Sequence, residues 1–169
     1  MSTRAPLRGT VVDVDLDAIV ANLAALRERG KGEVIAVVKD DAYGHGVEAV
    51  SETLAGAGVA MLAVFTVDEA MTIRAAGVRA PVLVFLGAED RAQAEAAIAA
   101  DCALVVWDLE QARLVDAVAA SAGRRAAVHF KVDSGLTRLG APAAEAAARF
   151  KAIRELRHVA VDGIFTHLA

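Results

Sequence analysis

The 169-residue sequence has one cysteine, three prolines and no apolar run as long as a transmembrane helix requires. Because Cys102 has no second cysteine to pair with, an internal disulfide is excluded, and a single thiol suits a reducing compartment. No proline-rich or serine-rich linker divides the chain into separate domains. Residues 1–10 lack the apolar core of a secretory signal peptide, so we expect a cytoplasmic location.

The charge balance is close to even. Lysine and arginine together number 18, aspartate and glutamate 22, and the formal net charge is −4. This balance gives no reason to expect a nucleic acid or an acidic membrane surface as a partner. Hydrophobic residues make up 56% of the chain, much of it alanine, which indicates an ordered domain with a core rather than disorder.

Short apolar segments alternate with helical patterns six times along the chain. The predicted strands cover residues 34–38, 61–65, 81–86, 102–106, 126–132 and 159–166. Thr66 and Glu69 have the spacing of a capping box, and residues 11–14 are compatible with a further short strand. Regular strand–helix alternation is typical of βαβ units around a parallel sheet. The absence of a Gly-x-Gly-x-x-Gly fingerprint weighs against a dinucleotide-binding fold.

The predicted strand over residues 34–38 leads directly into a lysine. Its five residues are apolar and mostly β-branched, which is typical of a strand buried on both faces. Lys39 follows at the C-terminal end, where α/β sheets and barrels place their ligands. A lysine at this position can lose its proton when it is desolvated and can form a Schiff base.

Residues 39–46 read Lys-Asp-Asp-Ala-Tyr-Gly-His-Gly. This segment resembles the cofactor-lysine motif of the alanine racemases, in which alanine usually stands at the position of Asp40. The resemblance implies that Lys39 binds pyridoxal 5′-phosphate covalently and acts as one of two catalytic bases. It also implies that Tyr43 hydrogen-bonds the cofactor phosphate. The alternative interpretations are a solvated lysine before a glycine turn and a tyrosine that packs on the barrel rim.

Three further residues, two within this motif and one before it, have predicted roles as well. Val37 lies two residues before Lys39 and therefore on the same side of the strand. We expect Val37 to line the wall beside the cofactor, although simple core packing would explain it equally well. Asp41 and His45 are expected to hold the loop together through hydrogen bonds and not to take part in the chemistry.

Residues 129–140 form a second motif, at the end of the fifth predicted strand. From Lys131 onwards they resemble the racemase pattern Lys-x-Asp-Ser/Thr-Gly-Met-x-Arg-Leu-Gly, with Leu136 in place of the methionine. The resemblance implies that Arg138 faces the phenolic oxygen of the cofactor. In the family the lysine is often carboxylated by CO₂, which makes Lys131 a candidate for that modification. Without the adduct, two cations would repel each other within the site.

Residues 163–169 form a third motif, which resembles Gly-x-x-Thr-His-Phe-Ala with Leu168 in place of the aromatic residue. The resemblance places His167 near the pyridine ring of the cofactor. The alternative is a histidine at a frayed chain end. No metal is expected at this site.

The resemblance implies the fold of a (β/α)₈ TIM-type barrel, here incomplete, with about six of its eight strands. We expect an N-terminal tail over residues 1–10 and the N-terminal part of the barrel over residues 11–169. The rest of the barrel and a β-rich C-terminal domain are expected to be absent from this chain. A chain of this kind leaves sheet edges open.

The activity implied by the resemblance is the interconversion of L-alanine and D-alanine, which supplies D-alanine for peptidoglycan. Family members are homodimers whose second base comes from the partner subunit, so we expect this chain by itself to be inactive. One alternative is a racemase for another amino acid, such as serine or lysine. Another is a non-catalytic barrel that binds pyridoxal phosphate for cofactor homeostasis, and a third is a fragment without a function of its own.

Overall fold

The computed structural model describes residues 11–169, and the tail predicted over residues 1–10 lies outside the described residues. The helical segments are α1 (Leu16–Arg29), α2 (Lys39–Gly44), α3 (Val47–Gly56), α4 (Val67–Ala75), α5 (Arg91–Ala99), α6 (Leu109–Ser121) and α7 (Ala143–Arg154). The strands are β1 (Ile35–Val37), β2 (Met61–Val64), β3 (Val82–Val84), β4 (Cys102–Val106), β5 (Ala126–Asp133), β6 (Ala141–Pro142) and β7 (Val159–Thr166). None of the described helices is long and apolar enough to cross a membrane.

The strands form one parallel sheet in which β1 to β5 pair in sequence order and β7 pairs with β5. The six predicted strands are all present. The additional β6 has two residues and pairs with the end of β5, and it is too short to produce a sequence pattern. Within residues 11–169, β1 pairs only with β2 and β7 only with β5, so the sheet has two open edges.

The two faces of the sheet differ in what covers them. Helices pack on the outer face, where alternate strand residues are fully buried in the main core, among them Leu62, Val64, Val84, Leu104 and Val106. The residues between them point to the inner face and form a smaller cluster that includes no helix residue, with Ala63, Leu83, Ala103 and Val105 at its centre. The inner face is therefore the side that a barrel would enclose.

Side-chain caps mark the start of four helices, α1, α4, α5 and α6. Asp15, Asp90 and Asp108 each accept a hydrogen bond from the third backbone N–H of the helix that follows. The predicted capping box at the start of α4 is present in full, with Thr66 and Glu69 bonded reciprocally. These caps fix the first turns of α1, α4, α5 and α6.

Two expectations for the N-terminal region are wrong. Residues 11–14 form no strand, and Val11 and Val12 are 69% and 80% exposed because no neighbouring strand pairs with them. The strand β1 is also not buried on both faces, since Ile35 is 43% exposed and Val37 39% exposed. The reason is that β1 is an edge strand whose inner face borders an open cavity.

Two glycines with left-handed backbones differ in the space that an added side chain would find. Substituting each of them distinguishes backbone strain from steric crowding. A Cβ on Gly58 (φ +73°) would meet nothing within 4 Å, whereas a Cβ on Gly87 (φ +75°) would lie 2.7 Å from Nε2 of Gln111 and against the carbonyl of Val105. We expect Gly58→Ala to lower the free energy of unfolding by about 1–2 kcal/mol. Gly87→Ala should lower it by roughly 2–5 kcal/mol, as measured by urea denaturation. Equal losses for the two variants would contradict this reading.

Candidate active site

One cavity of about 560 Å³ lies on the inner face of the sheet, between β1, β5 and β7. The six residues singled out from the three sequence motifs all line it: Val37, Lys39, Tyr43, Lys131, Arg138 and His167. They come from three segments that are far apart in sequence. The parallel pairing of the strands brings the segments together, because each motif follows or ends a strand at the same edge.

Lys39 stands at the start of a segment with an unusual backbone. The four residues from Asp40 to Tyr43 have φ angles between 52° and 56°, and therefore form a left-handed turn. Residues other than glycine rarely adopt this conformation, and a run of four requires support from the surrounding structure. The Nζ atom of Lys39 lies 5.7 Å from the centre of the Phe65 ring, which borders the same cavity.

Hydrogen bonds hold the end of this turn. An oxygen of Asp41 accepts from the backbone N–H of Val47 at 2.7 Å and thereby caps α3. The Nδ1 atom of His45 donates to the carbonyl of Ala42 at 2.9 Å and lies 3.2 Å from the carbonyl of Tyr43. The structural role predicted for Asp41 and His45 thus agrees with their contacts.

The start of the turn is held by Glu69, a residue that the sequence indicated only as part of a helix cap. One carboxylate oxygen of Glu69 accepts from the N–H of Asp40 at 2.6 Å, and the other accepts from Phe65 and Thr66. Burial raises the pKa of Glu69, but three backbone hydrogen bonds and the positive charge of nearby Lys39 lower it, and the pKa is lowered overall. A contact across 29 residues leaves no local signal in the sequence.

Lys131 and Arg138 occupy the opposite wall of the cavity. The side chain of Lys131 is buried, and its Nζ lies 5.8 Å from the centre of the Phe165 ring. Burial lowers the pKa of Lys131, and the nearby Arg138 guanidinium lowers it further. The neutral amine is therefore easier to form at Lys131 than at an exposed lysine.

The loop that carries Arg138 is held by a carboxylate as well. An oxygen of Asp133 accepts from the N–H groups of Gly135 and Thr137, both at 3.0 Å. These backbone hydrogen bonds lower the pKa of Asp133, and the bond from Thr137 has the largest effect. Thr137 has a left-handed backbone, with φ at 57°, so the loop turns sharply just before Arg138.

The end of β7 closes the cavity on a third side. His167 lines the cavity next to Thr166, whose hydroxyl lies 2.6 Å from that of Ser134 and links β7 to the loop after β5. Further back, the ring of His129 packs over Gly163, where an added Cβ would lie 2.6 Å from Nδ1. Burial lowers the pKa of His129, and the carboxylate of Asp162 opposes the shift.

Ten further residues line this cavity, and the four of them with aromatic rings were given no role from the sequence: Phe65, Phe85, His129 and Phe165. For His129 a signal was available, because it lies two residues before Lys131 on one strand and must share its face. Phe65 and Phe85 directly follow β2 and β3, Phe165 lies in β7, and each looks in sequence like any other core residue. Their position on the inner face depends on strand order and register.

The cavity suits an anionic, partly aromatic ligand. Its lining includes three cationic side chains, those of Lys39, Lys131 and Arg138, and no aspartate or glutamate among the described residues. Two nearby carboxylates, Glu69 and Asp133, are engaged by backbone N–H groups. In the part of the chain that the structure describes, there is no group of three or more His, Cys, Asp or Glu residues that could hold a metal ion.

Comparison with known proteins identifies the family. The family model described as "Alanine racemase, N-terminal domain" matches residues 14–169. The chain belongs to the alanine racemase N-terminal domain family. The alanine racemase of Symbiobacterium thermophilum is 39% identical over 164 residues, which cover 96% of this chain and 43% of the relative. The alanine racemase of Mycolicibacterium smegmatis is 41% identical over 172 residues, which cover 99% of this chain and 44% of the relative. The chain thus spans less than half the length of these curated relatives.

Solved structures agree with this assignment. The alanine racemase of Clostridium difficile, in complex with cycloserine, superposes with a TM-score of 0.83 at 33% identity, over 91% of this chain and 42% of that one. The histidine racemase of Leuconostoc mesenteroides superposes with a TM-score of 0.85 at 28% identity, over 98% of this chain and 45% of that one. The predicted fold, an incomplete (β/α)₈ barrel of the alanine racemase kind, is confirmed.

The lowered pKa of His129 predicts a loss of stability in mild acid. The unfolded chain takes up a proton at the ordinary histidine pKa of about 6.5, whereas folded His129 stays neutral to lower pH. The free energy of unfolding should therefore fall as the pH drops from about 6.5 to the folded-state pKa of His129. His129→Gln should flatten this dependence, as followed by urea denaturation at several pH values.

The carboxylate of Asp162 provides the control for this prediction. Because Asp162 raises the pKa of His129, Asp162→Asn should lower that pKa further and extend the loss of stability to lower pH. Parallel curves for the wild type and His129→Gln would show that another group is responsible.

Proposed function

We propose that this chain is the cofactor-binding barrel segment of a pyridoxal 5′-phosphate-dependent alanine racemase. The observation that carries the proposal is the convergence of the three racemase-like motifs on a single cavity, with Lys39 on its wall. Relatives that are about 40% identical are named alanine racemase, which supports the same activity. In the full-length protein we expect residues 11–169 to be followed by the rest of the barrel and a β-rich domain.

The cavity fits the cofactor in size and in chemistry. Its volume of about 560 Å³ is that of a typical small-molecule site. The amine of Lys39 would react with the aldehyde, and Tyr43 would hydrogen-bond the phosphate. Arg138 would face the phenolic oxygen, with His167 near the ring and Val37 along the wall. When bound, the cofactor withdraws electrons from the substrate and makes its Cα proton removable.

Lys39 would then act on one face of the substrate. Its amine, once free of the cofactor, can take up or return a proton at that carbon. The Phe65 ring lies beside the amine, with its centre 5.7 Å from Nζ, which is within reach of a cation–π contact. The second base, on the opposite face, is proposed to come from the partner subunit of a cytoplasmic homodimer. The product D-alanine would serve peptidoglycan synthesis.

A racemase for a different amino acid is the second candidate. The histidine racemase of Leuconostoc mesenteroides matches this fold as well as the alanine racemases do, so the barrel alone does not select alanine. Serine and lysine are further candidate substrates. The non-catalytic homeostasis barrel is disfavoured because Lys131 and Arg138 both line the cavity beside Lys39.

The proposal is tested by measuring racemisation with the full-length protein loaded with pyridoxal phosphate. We expect L-alanine to be converted faster than L-serine, L-lysine or L-histidine. Lys39→Ala should reduce the rate by at least ~10³-fold, because it removes both the covalent anchor and one base. Lys31→Ala serves as the matched control, because Lys31 is exposed and precedes the N-terminal end of β1, whereas Lys39 follows the C-terminal end.

Each alternative gives a different result in this assay. Cofactor binding without racemisation of any of the four amino acids would favour the homeostasis barrel. Preference for another amino acid would favour the second racemase. Racemisation that survives in Lys39→Ala would contradict the role of Lys39.

We also propose that Lys131 is carboxylated. The neutral amine attacks CO₂ and releases one proton, and the resulting carbamate is an anion that can hold the Arg138 guanidinium. Burial favours this step because it lowers the pKa of Lys131 and so makes the neutral amine more available. The adduct would remove the repulsion between two cations that face the same cavity.

Carbon-13 NMR tests this modification. In buffer enriched in ¹³CO₂, the full-length protein should show a carbamate signal that disappears in Lys131→Met. The signal should remain in Lys151→Met, since Lys151 is an exposed lysine of α7. An absent signal, or one that survives in Lys131→Met, would contradict carboxylation at this residue.

A further inference from the structure

We propose that Glu69 is a positioning residue that fixes Lys39 and the Phe65 ring relative to each other. The inference rests on the proposed function, in which Lys39 carries the chemistry. Glu69 belongs to α4, and it does not line the cavity. It acts through backbone N–H groups at the ends of two neighbouring strands, β1 and β2.

The two carboxylate oxygens of Glu69 serve different parts of the chain. Oε2 accepts from the N–H of Phe65 at 2.7 Å and from that of Thr66 at 3.0 Å, where α4 begins. Oε1 accepts from the N–H of Asp40 at 2.6 Å, in the turn that follows β1. A capping box needs only the contact to Thr66. The contact to Asp40 contributes nothing to the start of α4, so it calls for a separate explanation.

The contact to Asp40 extends the pairing of β1 and β2 beyond the point where their backbones part. The last backbone bond between them runs from the N–H of Val38 to the carbonyl of Ala63, at 2.8 Å. Immediately beyond it, the N–H groups of Asp40 and Phe65 both point to the carboxylate of Glu69. The carboxylate thus replaces the missing backbone partners of both strand ends.

This arrangement determines where the amine of Lys39 lies. A hydrogen bond to the N–H of Asp40 fixes the peptide plane between Lys39 and Asp40, at the entry to the strained left-handed turn. The same carboxylate fixes the backbone of Phe65, whose ring lies 5.7 Å from Nζ of Lys39. Loss of the contact would free the turn and separate the lysine from the ring. A displacement of about 1 Å at a reactive group can cost roughly 100-fold in rate.

A carboxylate suits this position better than an amide. Three N–H donors converge on the side chain, and each oxygen of a carboxylate can accept. In Glu69→Gln the single amide oxygen can continue to accept from the N–H groups of Phe65 and Thr66, which precede α4. The amide nitrogen would then face the N–H of Asp40, and two donors would repel each other. Glu69→Gln therefore breaks the contact to the turn and preserves the helix cap.

Two control variants separate positioning from general effects on α4. Asp68→Asn changes a neighbouring first-turn carboxylate that is exposed and forms no hydrogen bond with the described residues, since Thr72 bonds only the backbone carbonyl of Asp68. Thr66→Ala removes the hydroxyl that caps α4 but leaves the carboxylate of Glu69 in place. The first variant controls for the loss of a carboxylate from the first turn of α4 and the second for helix stability, while Glu69→Asp keeps the negative charge near Lys39.

The experiment uses the full-length protein and two readouts. One is the exchange rate of the Asp40 amide hydrogen, which requires neither cofactor nor turnover. The other is the rate at which pyridoxal phosphate becomes trapped on Lys39, measured by borohydride reduction and peptide mapping. In Glu69→Gln we expect the first rate to rise and the second to fall, each by at least ~10-fold. In Asp68→Asn and Thr66→Ala both rates should stay within about twofold of the wild type, even where Thr66→Ala lowers the stability.

The outcomes distinguish this inference from the proposed function. Unchanged exchange at Asp40 or unchanged trapping on Lys39 in Glu69→Gln would overturn the inference, and so would equal effects in Thr66→Ala. If the wild type does not trap the cofactor on Lys39, the proposed function fails, and Asp40 exchange alone then decides whether Glu69 holds the turn. If Glu69→Gln does not fold, Glu69→Asp, which keeps the charge but is one methylene shorter, is measured against the same criteria.

Discussion

Parallel pairing of β1, β5 and β7 with their neighbours is the constraint on which the site depends. It places the C-terminal ends of the strands at one edge, so that segments distant in sequence share one cavity. The helices pack on the outer face and keep the strands in register. The inner face is thereby left for the side chains that line the cavity.

Positively and negatively charged side chains occupy different positions in the site. The three cations, Lys39, Lys131 and Arg138, face the cavity, whereas the carboxylates of Glu69 and Asp133 bind backbone N–H groups of the loops. Each of these loops includes left-handed residues, whose conformational cost must be met by specific contacts. Carboxylates that accept several N–H groups supply those contacts and leave the charge of the cavity positive.

Much of the site could be predicted from the sequence because its motifs are local. Lys39 with its turn, and Lys131 with Arg138, are recognisable from spacing within a few residues. Glu69 and Phe65 could not be found in this way, because each contacts a residue at the end of β1 that is distant in sequence. His129 lies between these cases, since strand alternation relates it to Lys131 but does not give its contact with Gly163.

The sequence by itself determined the strand–helix alternation, the helix caps and the three motif segments, because hydrophobic periodicity, capping and turn chemistry act over short distances. Tertiary structure decided which strand faces are covered. Ile35 and Val37 resemble core residues in the sequence, yet they are partly exposed because β1 is an edge strand. It also decided that one carboxylate joins the ends of β1 and β2, since strand order and register bring together groups 29 residues apart.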